Sequence, residues 1–470
     1  MSEHLEIVPL TKPPCAAVRV PGSKSITNRA LVLAALTAKG FGYALRGVLR
    51  SEDTEVMVDS LRALGFRVLT EWPESTVLVS SGEEEPTIPA READLFVANS
   101  GTSMRFLTAL VSLGHGRYRL DGVPRMRERP IEDLLDALRQ LGVDARSENN
   151  NGCPPVVIKS DGLIGGAVCD RCNVRIRGSI SSQFLSGLLM AAPFAQGWVS
   201  LIVDGPLVSR PYVEMTLRML HSWDLPVSES WGNEEATFRF FGHAEASCSG
   251  HAADYKRALV FREGFDPRRQ NWACEYLIEP DASAASYFFG AAAIAGGRVT
   301  VPDIPLMSLQ GDVRFVEVLE EMGCTVVRDK TGITIHGGPL RGIDADMNDI
   351  SDTVMTLAAV ACFAEGPTTI RNVSHIRHKE TDRLAALAAE LRRVGAEVTE
   401  FADGLTITPR PLHGAEIETY NDHRMAMSMA LIGLRVPGIV IKNPGCVAKT
   451  YPHFFTDLEW LRQGPREDKS

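Results

Sequence analysis

Lysines, arginines and small hydroxyl residues stand at the starts of segments whose apolar pattern predicts buried helices. The stretch V-P-G-S-K-S-I-T-N-R at residues 20–29 places Lys24, Ser25 and Arg29 at the head of the apolar run A-L-V-L-A-A-L. A helix N-terminus already carries partial positive charge, so cations there are unfavourable unless an anion binds beside them. This pattern therefore predicts a binding site for phosphate or carboxylate groups.

Similar polar residues stand at four further predicted helix starts: Asn99, Gly101 and Arg105; Ser181, Ser182 and Gln183; Asp352; and Asp422, His423 and Arg424. Loops add further charged residues: Arg127 and Arg129, which precede a helix that Pro130 could start; Lys379, Glu380 and Arg383; and Lys449. A pure binding site needs the cations, whereas carboxylates placed among them favour acid–base chemistry.

Each motif alone has a plainer interpretation. G-S-K-S lacks the spacing of a P-loop, because Ser23 separates Gly22 from Lys24. Taken alone, Arg129 fits a capping or salt-bridge residue, K-E-T-D-R fits a solvated face, and Asp352 fits a helix cap. The shared position at helix starts is what favours a functional interpretation.

Composition limits the class of protein. The chain has 470 residues, which predicts two or more domains, and a formal net charge of -10, which argues against a nucleic-acid or anionic-membrane binder. The acidic start M-S-E-H-L-E-I predicts no signal peptide, and no apolar run has the length of a membrane span. Nine scattered cysteines fit a reducing compartment, and the lone pair Cys169 and Cys172 is weak evidence for zinc.

A pattern of buried helix, glycine, β-branched strand, amphipathic helix and second strand repeats six times, with a period of roughly 70–80 residues. The buried helices are expected from Ser25, Ser100, Ser181, Asp281, Ser351 and Asn421. A gap of about 100 residues between the third and fourth copies indicates an insertion within residues 225–275. The third amphipathic helix lacks the glycine that follows the others.

The sixth copy lacks its last strand, and the lone strand L-E-I-V-P-L near the N-terminus can supply it. Both ends of the chain would then belong to one domain. We therefore expect two α/β domains of three units each, with buried parallel helices: residues 1–22 plus 279–470, and residues 23–278. Two such domains facing each other would present their helix N-termini to a common cleft.

The motifs together resemble the 5-enolpyruvylshikimate-3-phosphate (EPSP) synthase family, the 3-phosphoshikimate 1-carboxyvinyltransferases. The matching pieces, in the family's order, are P-G-S-K-S-I-T-N-R, N-S-G-T-S-M-R, R-M-R-E-R-P-I, S-I-S-S-Q-F-L, S-R-P-Y, D-A-S-A-A-S-Y, K-E-T-D-R, Y-N-D-H-R-M-A-M and C-V-A-K-T-Y-P. The resemblance implies two inverse (inside-out) α/β domains. It also implies transfer of the enolpyruvyl group of phosphoenolpyruvate to the 5-hydroxyl of shikimate 3-phosphate, through a tetrahedral intermediate, in chorismate and aromatic amino acid biosynthesis.

The resemblance also implies roles for residues. Shikimate 3-phosphate would be bound by Lys24, Ser25, Arg29, Ser181, Ser182, Gln183, Ser209, Tyr212, Asp352 and Lys379. Phosphoenolpyruvate would be bound by Lys24, Asn99, Gly101, Arg129, Gln183, Arg383, Arg424 and Lys449. Asp352 would be the general base, and Glu380 and Lys24 are candidates for the other proton transfers, in an order that stays open. No metal or cofactor is expected, and the enzyme would act in the cytoplasm as a monomer.

Three positions bear on how this chain compares with the family, and two alternative functions stay open. Phe106 stands where many members carry proline, and His375 where some carry asparagine, whereas Gly101 is retained where the family leaves room for the herbicide glyphosate. One alternative is the sister transferase that acts on UDP-N-acetylglucosamine, which K-E-T-D-R and S-S-Q disfavour. Another is a non-catalytic module that binds phosphorylated metabolites, which would not need Asp352 or Glu380.

Overall fold

The computed structural model describes residues 3–38, 40–82, 87–163, 172–232, 235–240, 259–261 and 274–463. The chain divides into two compact units: unit 1 consists of Met1–Gly22 and Glu279–Ser470, and unit 2 of Ser23–Ile278. The insertion expected within residues 225–275 falls largely outside the described residues and stays a prediction, as does any role for Cys169.

The helices of the described residues alternate between buried and amphipathic along the chain. In chain order they are α1 (Lys24–Thr37), α2 (Glu52–Ala63), α3 (Gly101–Val111), α4 (Glu132–Gln140), α5 (Ser182–Ala191), α6 (Arg210–Ser222), α7 (Ala282–Ala295), α8 (Phe315–Glu321), α9 (Val354–Ala361), α10 (Arg383–Arg393), α11 (His423–Gly433) and α12 (Phe454–Gln463). The odd-numbered helices are buried along most or all of their length, as their apolar sequences predict.

The described strands of unit 2 form three mixed sheets. They are β3 (Gly42–Arg46), β4 (Arg67–Glu71), β5 (Thr76–Ser80), β6 (Glu92–Phe96), β7 (His115–Asp121), β8 (Asp144–Ser147), β9 (Val156–Asp161), β10 (Cys172–Arg177), β11 (Val199–Asp204), β12 (Ser228–Trp231), β13 (Glu235–Phe240), β14 (Leu259–Phe261) and β15 (Cys274–Leu277). The strand orders are β14-β15-β3-β5-β4, β6-β7-β9-β8 and β10-β11-β13-β12.

Unit 1 also forms three sheets. Its strands are β1 (His4–Ile7), β2 (Cys15–Ala17), β16 (Arg298–Pro302), β17 (Thr325–Asp329), β18 (Gly332–His336), β19 (Asp344–Asp346), β20 (Thr368–Arg371), β21 (Glu397–Phe401), β22 (Gly404–Thr408), β23 (Glu416–Ile417) and β24 (Ile439–Lys442). The orders are β17-β18-β16-β2, β19-β20-β22-β21 and β1-β24-β23. The N-terminal strand β1 pairs with β24 and so completes the sheet of the sixth repeat.

Each of these six sheets contains, among the described strands, one parallel pair, and a buried helix leads into one strand of each pair. In β6-α3-β7, β10-α5-β11, β19-α9-β20 and β23-α11-β24 the helix joins the two strands directly, as a parallel pair requires. The other two pairs, β2 with β16 and β15 with β3, join strands from distant parts of the sequence. The two-domain α/β fold expected from the repeats is therefore present.

The buried helices within a unit run parallel to one another. In unit 1, Tyr287 of α7 contacts Arg424 at the start of α11, and further along the same helices Gly290 faces Leu431. The contacts advance from the N-terminal towards the C-terminal end of both helices, so the N-termini of α7 and α11 point the same way.

In unit 2, Gln183 at the start of α5 donates a hydrogen bond to Thr102 of α3, and Gly187 faces Arg105 and Ala109 further along. The helices α3 and α5 are therefore parallel too. Both units thus gather several positive helix ends on one side of their own core.

Four amphipathic helices are followed by a glycine with positive φ, at Gly65, Gly142, Gly323 and Gly395. In the third copy, which lacks the glycine, Asp224 takes this position with φ 53°. The left-handed conformation is required by the turn, and aspartate is one of the few residues other than glycine that adopt it readily.

Several expected helix starts were wrong. The N-cap of α1 is Ser23 rather than Ser25, and that of α11 is Asp422 rather than Asn421. A 3₁₀ turn at Asn348–Thr353 precedes α9, so neither Ser351 nor Asp352 caps it. Likewise, α4 begins at Glu132, two residues after Pro130.

The described cysteines all carry free thiols. Among the described residues, no group of His, Cys, Asp and Glu side chains is arranged to hold a metal ion. None of the helices in the described ranges combines the length and apolar character that a membrane crossing requires.

Candidate active site

Capped helix starts position the first set of predicted residues in unit 2. The side chains of Ser23, Ser100 and Ser181 accept hydrogen bonds from backbone N–H groups in the first turns of α1, α3 and α5. Lys24, Gly101 and Ser182 are consequently the first residues of these helices. Each lies at a helix end that favours negative charge.

Lys24 forms an ion pair that the sequence analysis missed. Its Nζ lies 3.0 Å from Oδ2 of Asp53, a residue that is 1% exposed in the first turn of α2. Ser51 and Thr54 form a capping box that fixes this turn. The sequence S-E-D-T predicts the cap, but nothing in it indicates which acid turns inward towards Lys24.

Arg29 is a buried arginine supported by neutral groups. Its guanidinium donates to hydroxyl and carbonyl oxygens: Nε to Thr216 Oγ1 at 2.7 Å, Nη2 to Ser186 Oγ at 3.2 Å and to Tyr212 O at 3.0 Å, and Nη1 to Ser25 O at 2.9 Å. Its Cζ also lies 5.1 Å from the ring centroid of Phe106. Burial lowers the pKa of Arg29 to about 10. No carboxylate of the described residues pairs with this arginine, so its charge is uncompensated.

Arg129 lies against the start of α3. Its Nη1 donates to the backbone oxygen of Asn99 at 3.2 Å, and the side-chain oxygen of Asn99 is 3.5 Å away. A Cβ added to Gly101 would overlap the guanidinium, with Cζ of Arg129 at 2.9 Å. Glycine at position 101 therefore lets Arg129 approach the helix N-terminus closely.

The remaining predicted residues of unit 2 lie at the starts of α5 and α6. Gln183 follows Ser182 in the first turn of α5, and its side chain donates to Thr102 Oγ1 at 3.4 Å. Ser209 is the N-cap residue of α6 and adopts a left-handed conformation with φ 53°. Its carbonyl accepts from the N–H of Tyr212, whose own carbonyl accepts from Arg29.

Asp352 in unit 1 is surrounded by cations. Arg424 Nη2 lies 2.7 Å from Oδ2 of Asp352, whereas Arg383 Nη1 and Lys379 Nζ lie 3.4 and 3.9 Å from Oδ1. The side chain is 16% exposed, so solvent reaches the carboxylate. Its polar partners come from three different helix starts or loops.

Glu380 joins Arg383 to one further cation, Lys449. One carboxylate oxygen accepts from Arg383 Nη2 at 2.8 Å and the other from Lys449 Nζ at 2.8 Å. Arg383 also donates through Nε to Asp422 at 2.8 Å, and both of these side chains are almost fully buried. Asp422 therefore has two functions, since it also caps α11 by accepting from the N–H of Arg424.

Burial is the largest single effect on the pKa of Arg383, and burial alone would lower it. The charges of Asp422, Glu380 and Asp352 together outweigh burial, so the pKa of Arg383 is raised above its ordinary value. Arg424 donates to the hydroxyl of Tyr287, and burial raises the pKa of that phenol to about 12. The cluster therefore keeps Arg383 charged and Tyr287 neutral at ordinary pH.

The unit 1 cluster brings cations and carboxylates together. In the part of the chain that the structure describes, its ion pairs join the four cations Lys379, Arg383, Arg424 and Lys449 to the three carboxylates Asp352, Glu380 and Asp422. Cations gathered in this way would attract a bound anion. His375, 6% exposed, adds no charge, because burial, and then the charge of Lys379, lowers its pKa to about 3.

The structure places the predicted residues in two groups, one in each unit. Unit 1 brings Asp352, Lys379, Glu380, Arg383, Arg424 and Lys449 into one ion-pair network. In unit 2, Ser25, Arg29 and Tyr212 are linked by hydrogen bonds, Asn99, Gly101 and Arg129 form a second contact group, and Lys24, Ser181, Ser182, Gln183 and Ser209 lie at other helix starts. Arg127, by contrast, pairs with Asp121 and is half exposed.

Comparison with solved structures shows the class of fold. An EPSP synthase from Acinetobacter baumannii superposes with a TM-score of 0.73 at 24% identity and covers 97% of this chain and 98% of that one. The enolpyruvyl transferase NikO from Streptomyces tendae superposes with a TM-score of 0.67 at 20% identity and covers 97% of this chain and 96% of that one. The chain therefore has the two-unit α/β fold of these transferases.

Sequence comparison identifies the family within that fold. A model of the family described as EPSP synthase (3-phosphoshikimate 1-carboxyvinyltransferase) matches residues 11–251 and 264–458. The 3-phosphoshikimate 1-carboxyvinyltransferase of Nostoc punctiforme is 48% identical over 97% of this chain and 98% of its own length. That of Shewanella amazonensis is 43% identical over 93% of this chain and 94% of its own length. The chloroplastic one of Solanum lycopersicum is 42% identical over 94% of this chain and 81% of its own length. The chain belongs to the EPSP synthase family.

Breaking the buried pair of Arg383 and Asp422 should strongly destabilise the fold. We expect Asp422→Asn, which keeps the shape of the side chain, to lower the free energy of unfolding by about 3 kcal/mol, because Arg383 loses its principal buried partner. Urea denaturation would measure the loss. The exposed pair of Arg410 and Glu397 supplies the control: Glu397→Gln should change stability by less than about 0.5 kcal/mol. Equal losses in the two variants would contradict this account of the network.

Proposed function

We propose that the protein transfers the enolpyruvyl group of phosphoenolpyruvate to the 5-hydroxyl of shikimate 3-phosphate and releases phosphate, in chorismate and aromatic amino acid biosynthesis. The observation that carries this function is the family match over nearly the whole chain, with relatives of that name up to 48% identical. The cations of both units support it, because both substrates are multiply charged anions.

Asp352 is the general base in this proposal. It accepts the proton of the 5-hydroxyl as that oxygen bonds to C2 of phosphoenolpyruvate, while a proton is added to the methylene carbon. Elimination then removes a proton from the new methyl group and breaks the bond from C2 to the phosphate oxygen. Arg424 and Arg383, which contact Asp352, would hold its carboxylate in a fixed orientation during the addition.

The remaining proton transfers, to and from the methylene carbon and to the departing phosphate, are assigned to Glu380 and Lys24. Glu380 lies between Arg383 and Lys449, which favours its ionised form and suits it to accept a proton in the elimination step. Lys24 pairs with Asp53, which favours the charged ammonium and suits it to donate to the departing phosphate. Lys24 could supply the proton in the addition step as the ammonium, whereas Glu380 could do so only from its protonated form, and separate substitutions would distinguish them.

Two sets of residues bind the substrates in this proposal. Shikimate 3-phosphate is bound by Lys24, Ser25, Arg29, Ser181, Ser182, Gln183, Ser209, Tyr212, Asp352 and Lys379, and phosphoenolpyruvate by Lys24, Asn99, Gly101, Arg129, Gln183, Arg383, Arg424 and Lys449. A guanidinium has five N–H donors, and four hydrogen bonds of Arg29 stay within the protein. Arg29 would therefore act both by holding Ser25 and Tyr212 in place and by supplying uncompensated charge.

The reaction as written needs no cofactor or metal, because each step is an acid–base or addition–elimination step between the two substrates. We also propose that the enzyme acts as a monomer in the cytoplasm, without binding nucleic acid or membranes. The formal net charge of -10 supports the exclusion of polyanionic partners.

Phosphate release from phosphoenolpyruvate tests the function directly. We expect release with shikimate 3-phosphate as acceptor and none with UDP-N-acetylglucosamine. Relatives named for the shikimate reaction favour this acceptor over the UDP-sugar. Release with the UDP-sugar alone would identify the sister activity, and tight binding of both anions without release would identify a binding module.

Glyphosate should inhibit competitively with phosphoenolpyruvate. The absence of a side chain at Gly101 lets the Arg129 guanidinium lie against the start of α3, so an anionic phosphonate should compete with phosphoenolpyruvate for the same cation. Initial rates at several inhibitor concentrations would show an apparent KM for phosphoenolpyruvate that rises while kcat stays constant. Rates unchanged by millimolar glyphosate would contradict the prediction.

Substitution of Asp352 should separate catalysis from binding. We expect Asp352→Asn and Asp352→Ala to lower kcat by roughly 10²–10⁴-fold, as loss of a general base does, with a much smaller change in phosphoenolpyruvate affinity. Asp349 lies in the same 3₁₀ turn but pairs with the exposed Arg314, so Asp349→Asn is the matched control and should keep full activity. Equal losses in kcat and affinity would leave Asp352 with a positioning role only.

A further inference from the structure

The segment before α11 contains a turn in an unfavourable conformation. Tyr420 and Asn421 have φ values of 54° and 53°, and the N–H of Asp422 donates to the carbonyl of Thr419 at 2.8 Å across them. Asparagine tolerates this left-handed conformation, but a bulky residue such as tyrosine adopts it only when its surroundings hold it there. The turn therefore needs external support at Tyr420.

Glu390 of α10 provides that support. Its side chain is completely buried, and its carboxylate accepts from the hydroxyl of Tyr420 at 2.9 Å and from the backbone N–H of Glu418 at 3.0 Å. Nε of Arg393 lies 3.1 Å from the same carboxylate. A buried, charged acceptor forms strong hydrogen bonds, so Glu390 fixes the chain on the N-terminal side of the turn.

The same helix also fixes the other side of the turn. Arg383 is the first residue of α10 and lies two helical turns before Glu390, on the same face. Arg383 binds Asp422, which caps α11 and so sets the position of Arg424. One face of α10 therefore contacts the turn at Tyr420 and, at Asp422, the ion-pair network of unit 1.

We propose that Glu390 is a positioning residue for the reaction, because it holds the turn that directs Asp422 and Arg424 towards Arg383 and Asp352. The proposal rests on the proposed function, in which Arg424 binds phosphoenolpyruvate. Glu390 itself has no contact with the residues assigned to substrate, except through its own helix and the turn.

The protonation state of Tyr420 agrees with this role. Burial, followed by the hydrogen bond to Glu390, raises the pKa of the phenol to about 12. Tyr420 therefore remains a hydrogen-bond donor throughout the pH range in which an enzyme would be assayed. No change in its protonation would release the turn under those conditions.

Two conservative variants test the proposal. Tyr420→Phe removes only the hydroxyl, and Glu390→Gln keeps the length of the side chain but presents an amide N–H to its donors. We expect each to raise KM for phosphoenolpyruvate about tenfold, the effect of losing one hydrogen bond to a charged group, and to change KM for shikimate 3-phosphate by less than about twofold. The double variant should be no worse than Glu390→Gln alone, because the contact that Tyr420→Phe removes is among those that Glu390→Gln already weakens.

The segment before α11 also supplies a matched control. Glu418→Gln removes the exposed ion pair with Lys442 but keeps the backbone N–H that binds Glu390, so its KM values should match those of the wild type. A merely structural role for Glu390 would lower the melting temperature and leave both KM values unchanged in the folded variants. That result, or additive effects in the double variant, would overturn the proposal.

Amide hydrogen exchange gives a readout that does not require activity. The N–H groups of Asp422 and Arg424 should exchange faster in Tyr420→Phe and Glu390→Gln than in the wild type, whereas amides within α7 should not change. Unchanged exchange at both residues would also overturn the proposal. If the wild type released no phosphate with shikimate 3-phosphate, the proposed function would fail, and exchange at Asp422 would still decide whether Glu390 holds the turn.

Discussion

The burial of Arg383 is the constraint on which the rest of unit 1 depends. A guanidinium removed from water is strongly unfavourable unless carboxylates and hydrogen bonds compensate it. The compensating groups come from the 3₁₀ turn before α9, the loop before α10 and the cap of α11. Each must reach the same side chain, so three segments distant in sequence are fixed relative to one another. The position of Arg383 thereby also determines the environment of Asp352.

Unit 2 supports Arg29, one of its buried arginines, differently. Arg29 is held by hydroxyls, carbonyls and an aromatic ring rather than by acids, and burial lowers its pKa. An arriving anion would therefore find an uncompensated charge at Arg29, whereas in unit 1 it would share cations with Asp352 and Glu380. In the proposed reaction, neutral support would favour affinity for the anion, and shared cations would keep carboxylates beside it for proton transfer. Phe106 is part of the neutral support.

The sequence predicted what depends on local patterns. The caps at Ser100, Ser181 and Asp281 follow from helix-start chemistry and were confirmed, as was the repeated α/β fold. Asp352 was not predicted as an ion-pair partner, because Arg424 is distant in sequence and only the packing of α9 and α11 brings the two together. The inward orientation of Asp53 and the support that Glu390 gives to Tyr420 also depend on tertiary packing, which periodicity alone does not specify.

The pairing of β2 with β16, and of β1 with β24, affects the order in which the chain can fold on the ribosome. Both N-terminal strands leave the exit tunnel long before their partners are translated. At roughly 5–20 residues per second, β2 waits for about 15 to 60 seconds before β16 emerges. All the described strands of unit 2 are synthesised within that interval, so unit 2 can complete its sheets first. The N-terminal strands can pair only once β16 and then β24 have emerged, so unit 1 closes its sheets last.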